Sequence, residues 1–207
     1  MATYLSRLLS TDLYRKIQRL YTSMTLFEGQ PNGDSRTAQT EAMKWLVSTA
    51  QPNTIVDVGS GKCTLSILLH DVGYECHLTS IDSEPKSAEA AELIKAALAG
   101  DLDEWKVAFH HYVGDPIEHL SDVLERVWRS TPTVAYLACL QPDVLEQMVQ
   151  QCLQYQVNWI AINYCKQVPG IQDVVDTADC DPRLERVAHP YADSDRRGLA
   201  ILRYLPA

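Results

Sequence analysis

Residues 54–62 read Thr-Ile-Val-Asp-Val-Gly-Ser-Gly-Lys, and this stretch decides the fold. The strand-forming run Thr54–Val58 leads directly into a glycine turn, and the spacing of apolar residues over Thr64–His70 is that of a helix. Glycine has no Cβ, so a strand–glycine turn–helix unit brings bare backbone and a helix N-terminus close to a ligand. The stretch therefore predicts a ligand-binding α/β unit.

The alternation of strands and helices continues along the chain. Further strands are expected over Cys76–Ile81, Val107–Val113, Thr133–Leu137 and Val157–Tyr164, with helices over Pro85–Leu98, Pro116–Arg129 and Pro142–Tyr155. Helices of this length between strands form βαβ units, so we expect a doubly wound, mostly parallel sheet. After a loop over Gln167–Asp181, Arg183–His189 and Leu199–Leu205 have no helix between them, which predicts an antiparallel hairpin at the end of a sheet of about seven strands.

Residues 1–50 precede this alternation and are expected to form an N-terminal helical extension to an α/β domain of residues 51–207. Leu5–Thr22 has apolar residues at helical spacing. The stretch Glu28–Ser35 is rich in glycine and proline and predicts a loop, after which a second helix is expected to run to about Ala50.

Composition excludes several classes of protein. Of the 207 residues, 46% are hydrophobic, which is enough for a full core and excludes a disordered chain. We find neither a membrane-length apolar run nor a signal peptide, so we expect no membrane partner and a cytoplasmic location. The six cysteines contain no CxxC pair, so neither a structural metal site nor a disulfide framework is expected.

The net charge of −9 argues against a broad nucleic-acid-binding surface. The charge is uneven, because residues 1–50 hold six Lys or Arg against four Asp or Glu and so carry +2, which leaves −11 on the remainder. A basic helix near the N-terminus could contact an anionic partner, although a solvated helix face is the simpler interpretation.

Two nucleotide-binding motifs come close to the glycine turn, and neither fits it. A P-loop requires Ser or Thr directly after its lysine, where Cys63 stands, and a glycine five residues before Gly61, where Val56 stands. The dinucleotide fingerprint would place its third small residue at Thr64, so it fits imperfectly. Asp57, two residues before the first glycine, belongs to neither pattern.

The sequence Asp57-x-Gly59-x-Gly61 resembles the first motif of the class I S-adenosylmethionine-dependent methyltransferases. The resemblance extends in element order over about residues 54–205, and it implies a Rossmann-like fold, S-adenosyl-L-methionine as cofactor and transfer of its methyl group. In that family the turn lies under the methionine part of the cofactor, so the resemblance assigns Asp57, Gly59, Ser60 and Gly61 to this part. The family often has a third glycine at the position of Cys63.

Acidic residues also end the next two predicted strands. Asp82, followed by Ser83, ends the second strand, where a carboxylate can accept both ribose hydroxyls. Gly114-Asp115 ends the third strand, where the family commonly has an acidic residue for the adenine amino group. Either aspartate could instead cap the helix that follows it. Because all three strand ends carry aspartate, we favour a cofactor site, and Cys139 after the fourth strand completes the predicted contacts.

The acceptor side gives weaker indications. Residues 136–143 lack the motifs of base-amine methyltransferases and of metal-dependent catechol-type enzymes, so no metal is expected and the acceptor, whether a small molecule, a protein or an RNA, stays open. Tyr164, Lys166 and Arg36 are candidate acceptor contacts, although Tyr164 could equally be a packed strand-end residue. Methyl transfer depends mainly on alignment, so catalytic residues could be few.

Two other functions are compatible with this pattern. A non-catalytic cofactor-binding or interaction protein could have the same fold, although such a protein has no need to keep Asp57, Asp82 and Asp115. A nicotinamide-dependent oxidoreductase is disfavoured by Thr64 and by the predicted terminal hairpin.

Overall fold

A computed structural model of the chain describes residues 33–61, 63, 65–66, 69, 74–98, 107–127, 132–138, 141–189 and 197–206. The predicted helix over Leu5–Thr22, most of the predicted loop over Glu28–Ser35 and Cys139 lie outside these residues. For residues 33–41, which include Arg36, the backbone alone is described.

The described residues form seven strands and five helices. The strands are β1 Thr54–Val58, β2 Cys76–Asp82, β3 Val107–Val113, β4 Thr133–Ala138, β5 Trp159–Cys165, β6 Leu184–Arg186 and β7 Arg197–Tyr204. The helices are α1 Gly33–Ala50, α2 Lys86–Leu98, α3 Pro116–Val127, α4 Pro142–Gln154 and α5 Ile171–Asp179. In these parts of the chain no helix is long and apolar enough to cross a membrane.

All seven strands belong to one sheet in the order β3-β2-β1-β4-β5-β7-β6. Strands β1 to β5 are parallel, whereas β7 is antiparallel to both β5 and β6. The predicted doubly wound sheet with a terminal antiparallel hairpin is therefore confirmed. The strand order reverses between β1 and β4, and in open α/β sheets ligands bind at the carboxyl ends of the strands beside such a reversal.

Each face of the sheet carries its own hydrophobic core, because successive side chains of a strand point to opposite faces. Val56 and Val58 of β1 belong to the core beneath α3, α4 and α5. Ile55, which precedes Val56, belongs to the core beneath α1, which contributes Met43 and Leu46. We call the second side the α1 face. Asp57 shares it with Ile55 by alternation along β1.

The main departure from the sequence-based prediction is α5. The stretch Gln167–Asp181 was expected to be a loop, which is wrong, because a nine-residue helix lies within it. Helical spacing brings Ile171, Val175 and Ala178 into the core, and Gly170 starts the helix with a left-handed φ of 80°. Burial of this apolar stripe outweighs the turn-forming and polar residues that indicated a loop.

Smaller differences concern the ends of elements. α1 begins at Gly33, so the loop prediction is wrong for residues 33–35, where glycine and short polar side chains suit the first turn of a helix as well as a loop. β5 begins at Trp159 rather than Val157, because Gln156 adopts a left-handed φ of 53° in the turn before it. β6 is shorter than the predicted run and ends at Arg186.

Candidate functional site

The glycine turn folds back over the end of β2. Gly59 and Gly61 have φ angles of 74° and 50°, in the left-handed region that glycine enters without steric cost. The backbone N–H groups of Gly59 and Ser60 both donate to the carbonyl of Ile81, at 2.9 and 3.2 Å. The two glycines are therefore required by the shape of the turn, which is fixed at the carboxyl edge of the sheet.

Asp82 links this turn to the start of α2. Its Oδ2 accepts a hydrogen bond from the Gly61 N–H at 2.6 Å, and its Oδ1 accepts one from the Glu84 N–H at 2.8 Å. The second bond is the capping interaction that the sequence offered as an alternative, whereas the first joins two different strand ends. An ionised carboxylate has about four lone-pair positions, so Asp82, which is half-buried, can accept further hydrogen bonds from a ligand.

The end of β3 is joined to the same edge. The Gly114 N–H donates to the Asp82 carbonyl at 3.1 Å. Asp115 is exposed, and its Oδ1 caps α3 by accepting from the Ile117 N–H at 2.7 Å. Ser83 is also exposed beside Asp82. The structure thus brings the ends of β1, β2 and β3 together, with an aspartate at or beside each.

Asp57 differs from the other two aspartates because it is buried, with 3% of its surface exposed. Burial, and secondly the negative charge of Asp82, raise the pKa of Asp57 from 3.8 to about 8. No hydrogen bond from the described residues offsets this rise in pKa. Burial therefore favours the protonated form of the Asp57 carboxyl group.

Cys63 takes part in a hydrogen-bonded chain that the sequence alone did not show. It is buried with a left-handed φ of 52°, at the position where the resembling family often has glycine. Its Sγ lies 3.6 Å from Nδ1 of His111, whose Nε2 lies 2.9 Å from Oγ of Ser87. The Ser87 hydroxyl donates to the Glu84 carbonyl at 2.6 Å, so Nε2 carries the His111 proton and Nδ1 is an acceptor. The Cys63 thiol has one proton and two acceptors in reach, this Nδ1 and the Gly61 carbonyl at 3.7 Å.

These hydrogen bonds connect the glycine turn, through Cys63, to His111 on β3 and Ser87 on α2. Burial raises the pKa of the Cys63 thiol to about 12, so the thiol remains a donor, and burial lowers the pKa of His111. The sequence did contain a signal for this contact. Adjacent residues of a strand point to opposite faces of the sheet, so His110 and His111 had to lie on different faces.

The candidates on the acceptor side are not brought together in the same way. Tyr164 is 3% exposed and packs in the core beneath α4 and α5, beside Gly198 of β7. This is the packed strand-end tyrosine that the sequence offered as an alternative. Lys166 is half-buried just after β5. Arg36 belongs to the first turns of α1.

A second polar pair lies on the α1 face at the middle of the sheet. Asn163 Nδ2 donates to Oη of Tyr136 at 2.9 Å, and Asn163 is 7% exposed. A small apolar cavity beside this pair is lined by Ala42, Met43, Leu46, Tyr136, Ala161, Leu199 and Ile201. Among the described residues, no group of three His, Cys, Asp or Glu side chains is arranged to hold a metal ion.

No protein-family model matches the sequence, and no curated protein matches it. Solved structures do match the fold. An O-methyltransferase from Bacillus cereus in complex with S-adenosylhomocysteine is 12% identical with a TM-score of 0.61, and the match covers 99% of this chain and 98% of that one. The TDP-rhamnose 3′-O-methyltransferase of calicheamicin biosynthesis is 14% identical with a TM-score of 0.61 and 93% of each chain covered.

The N-methyltransferase NodS from Bradyrhizobium japonicum, solved with S-adenosylhomocysteine, is 12% identical with a TM-score of 0.58, and the match covers 94% of this chain and 99% of that one. The matches thus span nearly whole chains. The chain has the fold of the class I methyltransferases.

Proposed function

We propose that this chain is an S-adenosylmethionine-dependent methyltransferase. The observation that carries the proposal is the left-handed turn of Gly59 and Gly61, whose backbone is tied to the half-buried carboxylate of Asp82. A turn with two glycines and a carboxylate at the next strand end are what an adenosine-containing ligand needs beside the strand-order reversal. The shared fold with methyltransferases favours this cofactor over other nucleotides.

Each strand end would hold a different part of the cofactor. The methionine part would lie on the turn at Gly59, Ser60 and Gly61 above Asp57. Asp82 would accept the ribose hydroxyls with the lone pairs that Gly61 and Glu84 do not use, and the adenine would lie between Ser83 and Gly114. Asp115 Oδ1 caps α3, while its second oxygen could accept from the adenine amino group. Cys139, after β4, remains a predicted contact of the methionine part.

The residues of this chain would act mainly by alignment. Bound S-adenosylmethionine supplies an activated methyl group, which an acceptor nucleophile takes by in-line displacement while the C–S bond electrons return to sulfur. Holding the two reactants in line supplies much of the rate acceleration in such reactions. A general base is needed only when the acceptor must lose a proton, and Lys166 and Arg36 remain predicted acceptor contacts.

The site does not identify the acceptor, which could be a small molecule, a protein or an RNA. The similar structures include both O- and N-methyltransferases, so the fold does not select an acceptor atom. The proposal includes the cytoplasmic location expected from the sequence.

One alternative differs from the proposal in its ligand and the other in its lack of turnover. An oxidoreductase would bind NAD through the same carboxylate at Asp82, and a non-catalytic protein could bind the cofactor without turnover. The methyltransferase-type antiparallel end of the sheet, where β7 lies between β5 and β6, favours the methyltransferase over the oxidoreductase.

A thermal-shift panel of S-adenosylmethionine, S-adenosylhomocysteine, NAD and ATP tests the proposal. A ligand at one hundred times its Kd stabilises the folded state by about 2.7 kcal/mol, which raises the Tm by several degrees in a chain of this size. We expect this increase with the first two ligands alone. A shift with NAD and none with S-adenosylhomocysteine would refute the proposed function.

A further inference from the structure

Four residues of adjacent strands form a polar row across the α1 face beneath the glycine turn. Cα register places Asp57 of β1 between Ser80 of β2 and Tyr136 of β4, and His111 of β3 opposite Ser80. Ser80 is fully buried, and its Oγ has no hydrogen-bond partner in the described residues. A buried hydroxyl without a partner costs free energy, so this row has an unused hydrogen-bond donor next to Asp57.

The charges around Asp57 leave its carboxylate form without compensation. From β2 it faces Asp82, which is negative, and from the turn Cys63, whose thiol is protonated. The side chains that follow in the row are those of Tyr136 on β4 and His111 on β3, and burial lowers the pKa of His111. A buried carboxylate without a cation or hydrogen-bond donor is costly, and it normally holds its proton instead.

Among the described side chains, the helices packed on this face add no cation beside Asp57. The α1 side chains described in this core, Met43, Leu46 and Val47, are apolar. Lys95 of α2 acts on Cys63 and His111 and lies over the ring of Phe109 at the outer strand. No cation among the described side chains acts on Asp57, so a positively charged ligand group is the partner that its carboxylate could take.

We propose that Asp57 is uncharged in the free protein and ionises when the α-ammonium group of the cofactor binds, so that cofactor binding releases one proton. The inference rests on the proposed function. The ammonium is favoured over the sulfonium as the partner because it donates N–H hydrogen bonds, which the sulfonium cannot do. The Ser80 hydroxyl would supply the second donor to the ionised carboxylate, and the proton that leaves Asp57 passes to solvent.

The linkage predicts how affinity depends on pH. Because burial raises the pKa of Asp57 to about 8, the free protein must lose a proton to bind at lower pH. The Kd for S-adenosylmethionine should then fall about tenfold for each unit of pH rise, as for any binding step that releases one proton. This slope should hold from about pH 5.5 to 7.5, where an α-amino group remains protonated.

Titration calorimetry at pH 6.5 in buffers of different ionisation enthalpy counts the released protons. The probes are S-adenosylmethionine, S-adenosylhomocysteine and 5′-methylthioadenosine, which lacks the α-ammonium. We expect close to one proton released with each of the first two ligands and none with the third. Equal proton release with all three ligands, or binding of the first two without release, would overturn the inference.

Asp57→Asn, which mimics the protonated carboxyl, is the matched variant. It should bind 5′-methylthioadenosine as the wild type does and release no proton with S-adenosylmethionine. Proton release that persists in this variant assigns the titration to another group and rejects the inference. The comparison of ligands on the wild type does not depend on how the variant folds. Failure of all three ligands to bind the wild type would instead reject the proposed function.

Discussion

The carboxyl edge of the sheet has two halves that differ in how they are built. In the β1–β3 half, backbone groups of the turn and of the strand ends bond to one another and to Asp82, and polar groups are buried beneath them. In the β4–β5–β7 half, Tyr164 is packed into the core and a small apolar cavity lies between α1 and the strands. A site for a polar ligand can be recognised in the first half, whereas the second half shows mainly packing.

The comparison shows that each half needs a glycine for a different physical reason. In the first half Gly59 serves a backbone conformation, with φ of 74°. In the second half Gly198 serves packing, because a Cβ there would overlap the ring of Tyr164. Substituting each glycine separates ligand binding from stability.

Gly59→Val should have the largest effect on binding. A β-branched residue is strongly disfavoured in the left-handed region, so the turn must change its path and move the Gly61 N–H away from Asp82. We expect S-adenosylhomocysteine affinity to fall at least a hundredfold, or about 2.7 kcal/mol, measured by titration calorimetry. The strain itself costs about 1–3 kcal/mol of folding stability, measured by urea unfolding.

Gly198→Ala is the matched control in the other half. Overpacking against Tyr164 should lower the free energy of unfolding by about 1–3 kcal/mol, while cofactor affinity changes less than about twofold in the folded protein. A loss of affinity as large as that of Gly59→Val would show that the two halves are not separable.

Asp57→Asn should change how stability depends on pH. The native pKa of about 8 lies above the unfolded value of 3.8, so the native state binds the extra proton and stability falls as pH rises between these values. The variant lacks this titration. Relative to wild type, it should gain about 1–3 kcal/mol between pH 5 and pH 7 in ligand-free urea unfolding. Parallel stability curves would mean that Asp57 is ionised in the free protein.

Tyr136→Phe should have the smallest effect. The change removes the hydroxyl that accepts from Asn163 Nδ2 and leaves that buried donor without this acceptor. A loss of about 1–2 kcal/mol in the free energy of unfolding is expected, with cofactor affinity unchanged. Weaker S-adenosylhomocysteine binding in a stable Tyr136→Phe protein would extend the cofactor site across the reversal point into β4.

The features that the sequence predicted correctly are those set by local pattern. Thr54–Val58 and Val107–Val113 have the predicted bounds, and the hairpin follows from two strand-like runs without a helix between them. The glycine positions were informative because only glycine enters the left-handed turn without strain. Asp82 was also predicted at the end of the second strand, where the structure has it, whereas its bond to Gly61 was not predicted.

What the sequence could not predict depends on contacts between distant segments. The helix Ile171–Asp179 forms because it buries an apolar stripe against the core, which outweighs local turn signals. The hydrogen bond of Cys63 to His111 joins residues 48 positions apart. The Tyr164 ring packs in the core because Gly198, its partner on β7, leaves room for it. This residue-by-residue pairing of β5 with β7 was not predicted.

Titration of S-adenosylhomocysteine into the wild type, Asp82→Asn and Asp82→Ala tests the central claim most directly. Asn caps a helix about as well as Asp, so Asp82→Asn should keep most of the folding stability, whereas it loses charge-assisted bonds worth roughly 1.5–3 kcal/mol each. The account predicts one-to-one binding to the wild type and an affinity at least tenfold lower in a stably folded Asp82→Asn. Unchanged affinity in both variants, or no binding to the wild type, would contradict it.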